Sequence, residues 1–184
     1  MTVQTSKKNP TGALENKGKT IAPRALMRKT APRGKLSKTD ATISIRTSKG
    51  LFVAFKESVT KVGSVERINR IRVGIDAANI IHVSDYFNVR REEIGSIIGI
   101  STSTMNRKLR SNATLSPSES ERLERIAEIE AEAEDVFGDA EMAKKWLLKS
   151  NFALGGTPLS MLDTDIGTGE VRKVLSSIAY GGVV

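Results

Sequence analysis

From Ser64 almost to the end of the chain, apolar residues recur at the three- and four-residue spacing of helices that each hide one face. Val65, Ile68 and Val73 mark a short helix with one apolar side, stopping at Gly74. Asp76 can cap a second helix, with Ala77, Ile80, Ile81, Tyr86 and Phe87 among its apolar positions. Residues 91–110, REEIGSIIGISTSTMNRKLR, read as two helices joined by a tight turn. Ile94, Ile97 and Ile98 form the buried edge of the first, Gly95 lets a neighbour approach, Gly99 ends it and Ile100 plugs the turn. Ser101 caps the second, whose inward positions are Thr102, Met105 and Leu109.

Ser116-Pro117-Ser118-Glu119 is a capping box with proline at the first helical position, and it predicts a helix running to Phe137 before Gly138. Leu123, Ile126, Ile129, Ala133, Val136 and Phe137 keep helical spacing, while Glu124, Glu128, Glu132 and Glu134 read as a solvated acidic face. Asp139 caps the next helix, with Met142, Ala143, Trp146 and Leu147 inward and Lys144, Lys145 and Lys149 outward. Gly155-Gly156 permits a bend, and Thr157-Pro158 starts a short helix. Asp163 and Thr164 introduce a last helix carrying Val171, Val174, Leu175 and Ile178. It ends at Tyr180 and Gly181, leaving Gly182, Val183 and Val184 as a short apolar end suited to docking in another protein's pocket.

The beginning of the chain lacks this pattern. Residues 1–40 hold Val3, Leu14, Ile21, Leu26, Met27 and Leu36 as large apolar positions, interrupted by Pro10, Pro23 and Pro32. So few cannot offset the entropy of ordering the segment, which reads as a basic disordered arm. Residues 41–63 stay an unassigned connecting segment: Ile43 and Ile45 alternate with polar residues like a short strand, and Leu51 to Phe55 form an apolar run too brief to assign.

Composition sharpens the class. The 184 residues are 39% hydrophobic with 5 Phe, 2 Tyr and 1 Trp, too few aromatics for a large β-sandwich, so an all-α fold is expected. The net charge is +8. Residues 1–40 hold ten basic side chains against Glu15 and Asp40, which accounts for that whole excess and leaves the remainder neutral. Such an arm is either a plain solvated extension or one that follows a phosphate backbone by releasing counterions; the two are compatible.

Several chemistries are excluded. No cysteine means no disulfide, thiolate catalysis or thiolate zinc site. His82, the one histidine, lies inside an apolar helical segment with no nucleophile and carboxylate set beside it in sequence. The acidic run lacks a partner ligand for a metal, and no Lys and Ser/Thr follow Gly155-Gly156 in phosphate-loop spacing. The expectation is a protein that is not an enzyme and has no catalytic residue, metal or cofactor. The polar, basic start and the absence of about 18 consecutive apolar residues give no signal peptide and no membrane span, so a cytoplasmic location is expected.

What remains is a surface. On the helix after Ser101, Ser103, Asn106, Arg107 and Arg110 fall at i, i+3, i+4 and i+7, opposite the core, with Thr104 and Lys108 beside them. Arginine can bond guanine and asparagine adenine in a major groove, and the other polar and basic groups can hold phosphates. The competing reading is an ordinary polar helix face.

Residues 91–110 resemble the Cro/repressor type of helix-turn-helix called Xre-like, with two departures: Arg90 occupies the usual Ser or Thr cap, and Lys108 stands at a commonly apolar position. Residues 140–182 resemble the C-terminal domain of the Xre/MbcA/ParS antitoxins. The carriers are Ala143, Trp146-Leu147, Asn151, Leu154-Gly155-Gly156, Pro158, Leu162-Asp163-Thr164, Gly167, Val171, Leu175, Ile178 and Gly181. The likeness extends over about residues 64–184, dividing the chain into the arm 1–40, the segment 41–63, a DNA-binding domain 64–137 and a toxin-binding domain 138–184. It implies an antitoxin of a type II toxin-antitoxin pair whose partner is a RES-domain toxin that consumes NAD. Tyr180, Gly181, Gly182, Val183 and Val184 would cover the toxin's active site, and the helix-turn-helix would repress the shared operator. Half-site reading favours a homodimer. The alternative is a transcriptional regulator whose C-terminal module only dimerises or binds a small ligand.

Overall fold

The computed structural model describes residues 47–181; the arm 1–40, with Ile43 and Ile45, lies outside the described residues, as do Gly182, Val183 and Val184. The described chain is helical: α1 (Ser48–Lys61), α2 (Ser64–Val73), α3 (Asn79–Phe87), α4 (Arg91–Ile98), α5 (Thr102–Arg110), α6 (Pro117–Phe137), α7 (Ala140–Leu148), a 3-10 helix (Pro158–Asp163) and α8 (Asp165–Ala179). Among the described residues the sole extended pairings are isolated bridges, Asp76 with Thr114 and Asn151 with Gly156. The all-α expectation holds. No helix of the described residues is long and apolar enough to cross a membrane.

α6 is the axle. It packs against α1, α2, α4, α7, α8 and the 3-10 helix, with Leu123, Ile126, Ala127, Ile129 and Ala133 fully buried along it. Its start is the capping box read from sequence: Ser116 Oγ accepts from the Glu119 N–H at 3.3 Å, and Glu119 accepts from the Ser116 N–H at 2.7 Å. The buried cluster runs without a break from Phe52 to Leu175, across the boundary at 137/138.

Residues 41–63, unassigned from sequence, contain α1, capped by Thr47 Oγ1 accepting from the Gly50 N–H at 3.1 Å. Phe52 and Val59, two turns apart, are its buried edge. Phe52 meets Tyr86 and Phe87 of α3 at ring-centroid distances of 4.6 and 5.9 Å, close to the preferred range for tilted aromatic pairs. Asp76 does not sit at the cap position of α3, which belongs to Ala78; its Oδ1 instead accepts from the Ala78 N–H at 2.8 Å in the preceding turn.

The acidic face expected along α6 is not solvated. Glu124 is 1% exposed and held by Arg67 Nε at 3.2 Å and Arg70 Nε at 2.6 Å. Glu128 bonds Arg67 at 3.0 Å and Arg172 at 3.0 Å, and Glu132 bonds Arg172 at 2.9 Å. Spaced four residues apart, these carboxylates form one row on α6 that clamps α2 on one side and α8 on the other. A second network is deeper: Glu130, fully buried, pairs with Lys56 Nζ at 2.6 Å and accepts from the Tyr86 hydroxyl, while Lys56 also reaches Glu134. Burial pushes the Glu130 carboxyl up, and burial plus its bond to Glu130 raises the Tyr86 hydroxyl far above its ordinary value.

This clamp reverses the reading of α2. Arg67 and Arg70 turn inward to their carboxylates, so Val65, Ile68 and Val73, read from sequence as one side facing a core, are 74%, 45% and 79% exposed.

Candidate nucleic-acid interface and C-terminal module

α4 starts without a side-chain cap from Arg90, but Glu93 reaches back to accept from the Arg90 N–H at 3.0 Å. Ile94, Ile97 and Ile98 are buried as expected. Gly95 lies beneath α5, where an added Cβ would sit 3.3 Å from Met105 Sδ. Gly99 takes a left-handed conformation, φ +78°, and a side chain there would collide with the Arg122 guanidinium. That guanidinium donates to the Ile98 carbonyl at 3.2 Å, closing the end of α4. Ile100, 6% exposed, plugs the turn.

Ser101 caps α5, its Oγ accepting from the Thr104 N–H at 3.3 Å. Met105 is buried and Leu109 packs partly against the core, whereas Thr102, expected inward, is exposed in the first turn. Ser103, Asn106, Arg107 and Arg110 are all exposed on the outer face, and Thr104 is half-buried beside them. Lys108 is different. Its ammonium donates to the Thr114 carbonyl at 3.0 Å and to Glu119 at 2.8 Å, so it is turned toward α6. Burial raises the Glu119 carboxyl, but bonds from Lys108 and from the Ser116 N–H outweigh it and hold that carboxyl below the ordinary range.

The C-terminal module begins at α7, capped by Asp139 Oδ1 accepting from the Met142 N–H at 2.8 Å. Ala143 and Leu147 are buried, and Trp146 packs against Phe137 in a tilted pair with ring centroids 5.7 Å apart. Two readings of α7 are corrected. Met142 is 52% exposed, and Lys144 does not point out: its ammonium lies 5.5 Å from the Tyr86 ring centroid, a cation–π contact. With Ala143 and Leu147 setting the inward edge, Met142 and Lys144 fall to either side of it.

The Asn151–Gly156 bridge closes a turn, braced by the Ala153 N–H donating to Asn151 Oδ1 at 2.9 Å, with Phe152 fully exposed as its first residue. Thr157 and Thr164 cap the 3-10 helix and α8 as read, through the N–H groups of Ser160 and Gly167 at 3.3 and 3.1 Å. Leu162, Val171 and Leu175 seat the module on α6. Tyr180, 91% exposed, and Gly181 end α8 at the surface; the other three residues of the expected docking end are undescribed. Sequence reasoning misses two further exposed apolar residues, Phe152 and the 82% exposed Ile166. An apolar residue inside an Asn-to-Gly turn is the signal that marks Phe152.

Comparison with known proteins places both halves. The model of the family "Antitoxin Xre-like helix-turn-helix domain" matches residues 66–128, and that of the "Antitoxin Xre/MbcA/ParS C-terminal toxin-binding domain" matches residues 132–181. The chain is similar to an Antitoxin Xre of Pseudomonas putida, 43% identical over 79 residues, covering 42% of this chain and half of that protein. It is also similar to a Prs ADP-ribosylating antitoxin of Sphingobium sp., 27% identical over 135 residues, 68% of this chain and 85% of the relative. An Antitoxin Xre of Photorhabdus laumondii is 27% identical over 110 residues, 59% of this chain and 74% of that protein. With the helix-turn-helix on α4 and α5 and the toxin-binding module on α7, the 3-10 helix and α8, the chain carries the domain pair of the Xre antitoxins.

Proposed function

We propose that this protein neutralises a RES-domain, NAD-consuming toxin by binding it directly and represses the operon that encodes both. It acts stoichiometrically, in the cytoplasm, as a homodimer and without chemistry of its own. The toxin reading is carried by one observation: the matched toxin-binding module ends in an exposed Tyr180 and Gly181. In this reading these two and the following Gly182, Val183 and Val184 cover the toxin's active site. Fully exposed Phe152 on its braced turn supports a wider contact on the same module. The Sphingobium relative is named for ADP-ribosylation, a reaction that draws on NAD, which supports a toxin of that class.

DNA is read by α5. Ser103, Asn106, Arg107 and Arg110 face outward, and Arg107 and Arg110 make no ion pair among the described residues, leaving both guanidiniums for bases or phosphates. Thr104 borders that face, and Lys108 serves it by fixing the angle of α5. Replacing Arg107 and Arg110 with Ala should abolish operator binding in a gel-shift titration while toxin neutralisation persists. Loss of neutralisation in a folded variant would contradict this division.

A further inference from the structure

The outward face of α2 is the feature that neither the operator nor the toxin reading uses. It is not a loosely held helix. Arg67 and Arg70 tie it to Glu124 and Glu128, and Gly74 closes its end with its N–H donating to the Arg70 carbonyl at 3.0 Å. The exposed side is therefore presented rigidly. Helical spacing puts Val65, Ile68 and Arg72 on one row and Glu66, Asn69 and Val73 on the next, and all six are exposed. Neither Glu66 nor Arg72 makes an ion pair among the described residues.

The order of these residues is symmetric about Asn69. Val65 and Val73 stand four positions to either side, and Glu66 and Arg72 stand three. A two-fold interface requires such self-complementarity, because residue i of one copy meets residue j of the other and j meets i. Antiparallel pairing brings the Glu66 end of one helix beside the Arg72 end of the next and Val65 beside Val73, with Ile68 near the axis.

We infer that two copies of this chain pair through the exposed face of α2, antiparallel about Asn69, with Ile68 near the axis, a Glu66–Arg72 pair on either side of it and Val65–Val73 contacts just beyond each pair. The inference deepens the homodimer reading above and rests on it. A same-chain partner fits because one helix carries both the acidic and the basic member of the pair at mirrored positions, and each pair then occurs twice in the dimer.

Sedimentation equilibrium of the purified full chain across a wide concentration series tests this. The wild type should dimerise. Ile68→Asp should weaken dimerisation, and Glu66→Arg or Arg72→Glu alone should each weaken it about tenfold or more, since a like-charge clash arises at both ends. The Glu66→Arg/Arg72→Glu double variant should recover most of that loss. All these positions are exposed, so unchanged far-ultraviolet circular dichroism and thermal midpoint serve as the folding control. A dimer indifferent to Ile68→Asp, or a double variant no better than the singles, overturns the α2 interface while leaving the dimer intact. A wild type that stays monomeric overturns both.

Discussion

The Lys108 ammonium sits 2.8 Å from Glu119, joining the second helix of the helix-turn-helix, α5, to the capping box of the central helix α6. Glu119 thereby accepts from the Ser116 N–H and from Lys108 together, so the residue that starts α6 also fixes the angle of α5. A basic residue that reads from sequence as part of the DNA face is thus a strut behind it.

Lys108 and Arg107 should behave differently when removed. Lys108→Met loses a charge-assisted bond at a mostly covered site and should cost about 1 to 2 kcal/mol of stability, lowering operator affinity through misplacement of α5. The logarithmic salt slope of binding should stay as in the wild type. Arg107→Ala should leave stability alone and reduce that slope by about 0.9 for each phosphate that the arginine neutralises in the wild type. Thermal unfolding and salt-dependent binding titrations separate the two.

Glu124 is the hinge of the ion-pair row. Removing it leaves Arg70 without a carboxylate and Arg67 with Glu128 alone, beside an emptied volume in the interior. Glu124→Ala should destabilise by about 3 kcal/mol, the low end for breaking a buried pair, because both arginines keep about a quarter of their side-chain surface in water. Urea denaturation measures it. A loss within a few tenths of a kcal/mol would mean the row does not hold α2.

Acid should act through the same carboxylates. Burial raises the Glu128 carboxyl, but Arg67 and Arg172 outweigh it and hold it below the ordinary range, as Lys108 does for Glu119. A lowered folded value means that the unfolded chain binds the proton more readily. The stability these groups contribute is therefore present above the ordinary carboxylate value and lost as pH falls through the lowered one. Glu130, raised by burial, works in the opposite sense. The thermal midpoint should drop steeply below the ordinary carboxylate range, and Glu128→Gln should reduce the part of that drop that Arg67 and Arg172 create.

How much of this is legible in the sequence follows from the range of the interactions. Caps and turns are local, so Ser101, Ser116, Asp139, Thr157 and Thr164 can be read directly, and so can Gly99 and the buried isoleucines of α4. The outer face of α5 is legible too, at Ser103, Asn106, Arg107 and Arg110, which are all exposed. What fails is decided at long range. The orientation of α2 depends on carboxylates more than fifty residues away, α1 carries exposed Leu51 and Val53 that blur its stripe, and Lys108 turns toward a partner eleven residues on. A single sequence shows the charge of these residues and not their partners.

The central claim concerns the C-terminal end of the chain. Co-expression with the toxin encoded beside it, comparing the full chain with a form ending at Ile178, reads it out as copurification and as cellular NAD. The full chain should copurify with the toxin and preserve NAD, while the shortened form keeps its thermal midpoint and leaves NAD to fall. If the full chain binds no product of its own operon, or the shortened form protects equally, neutralisation through Tyr180 to Val184 is contradicted.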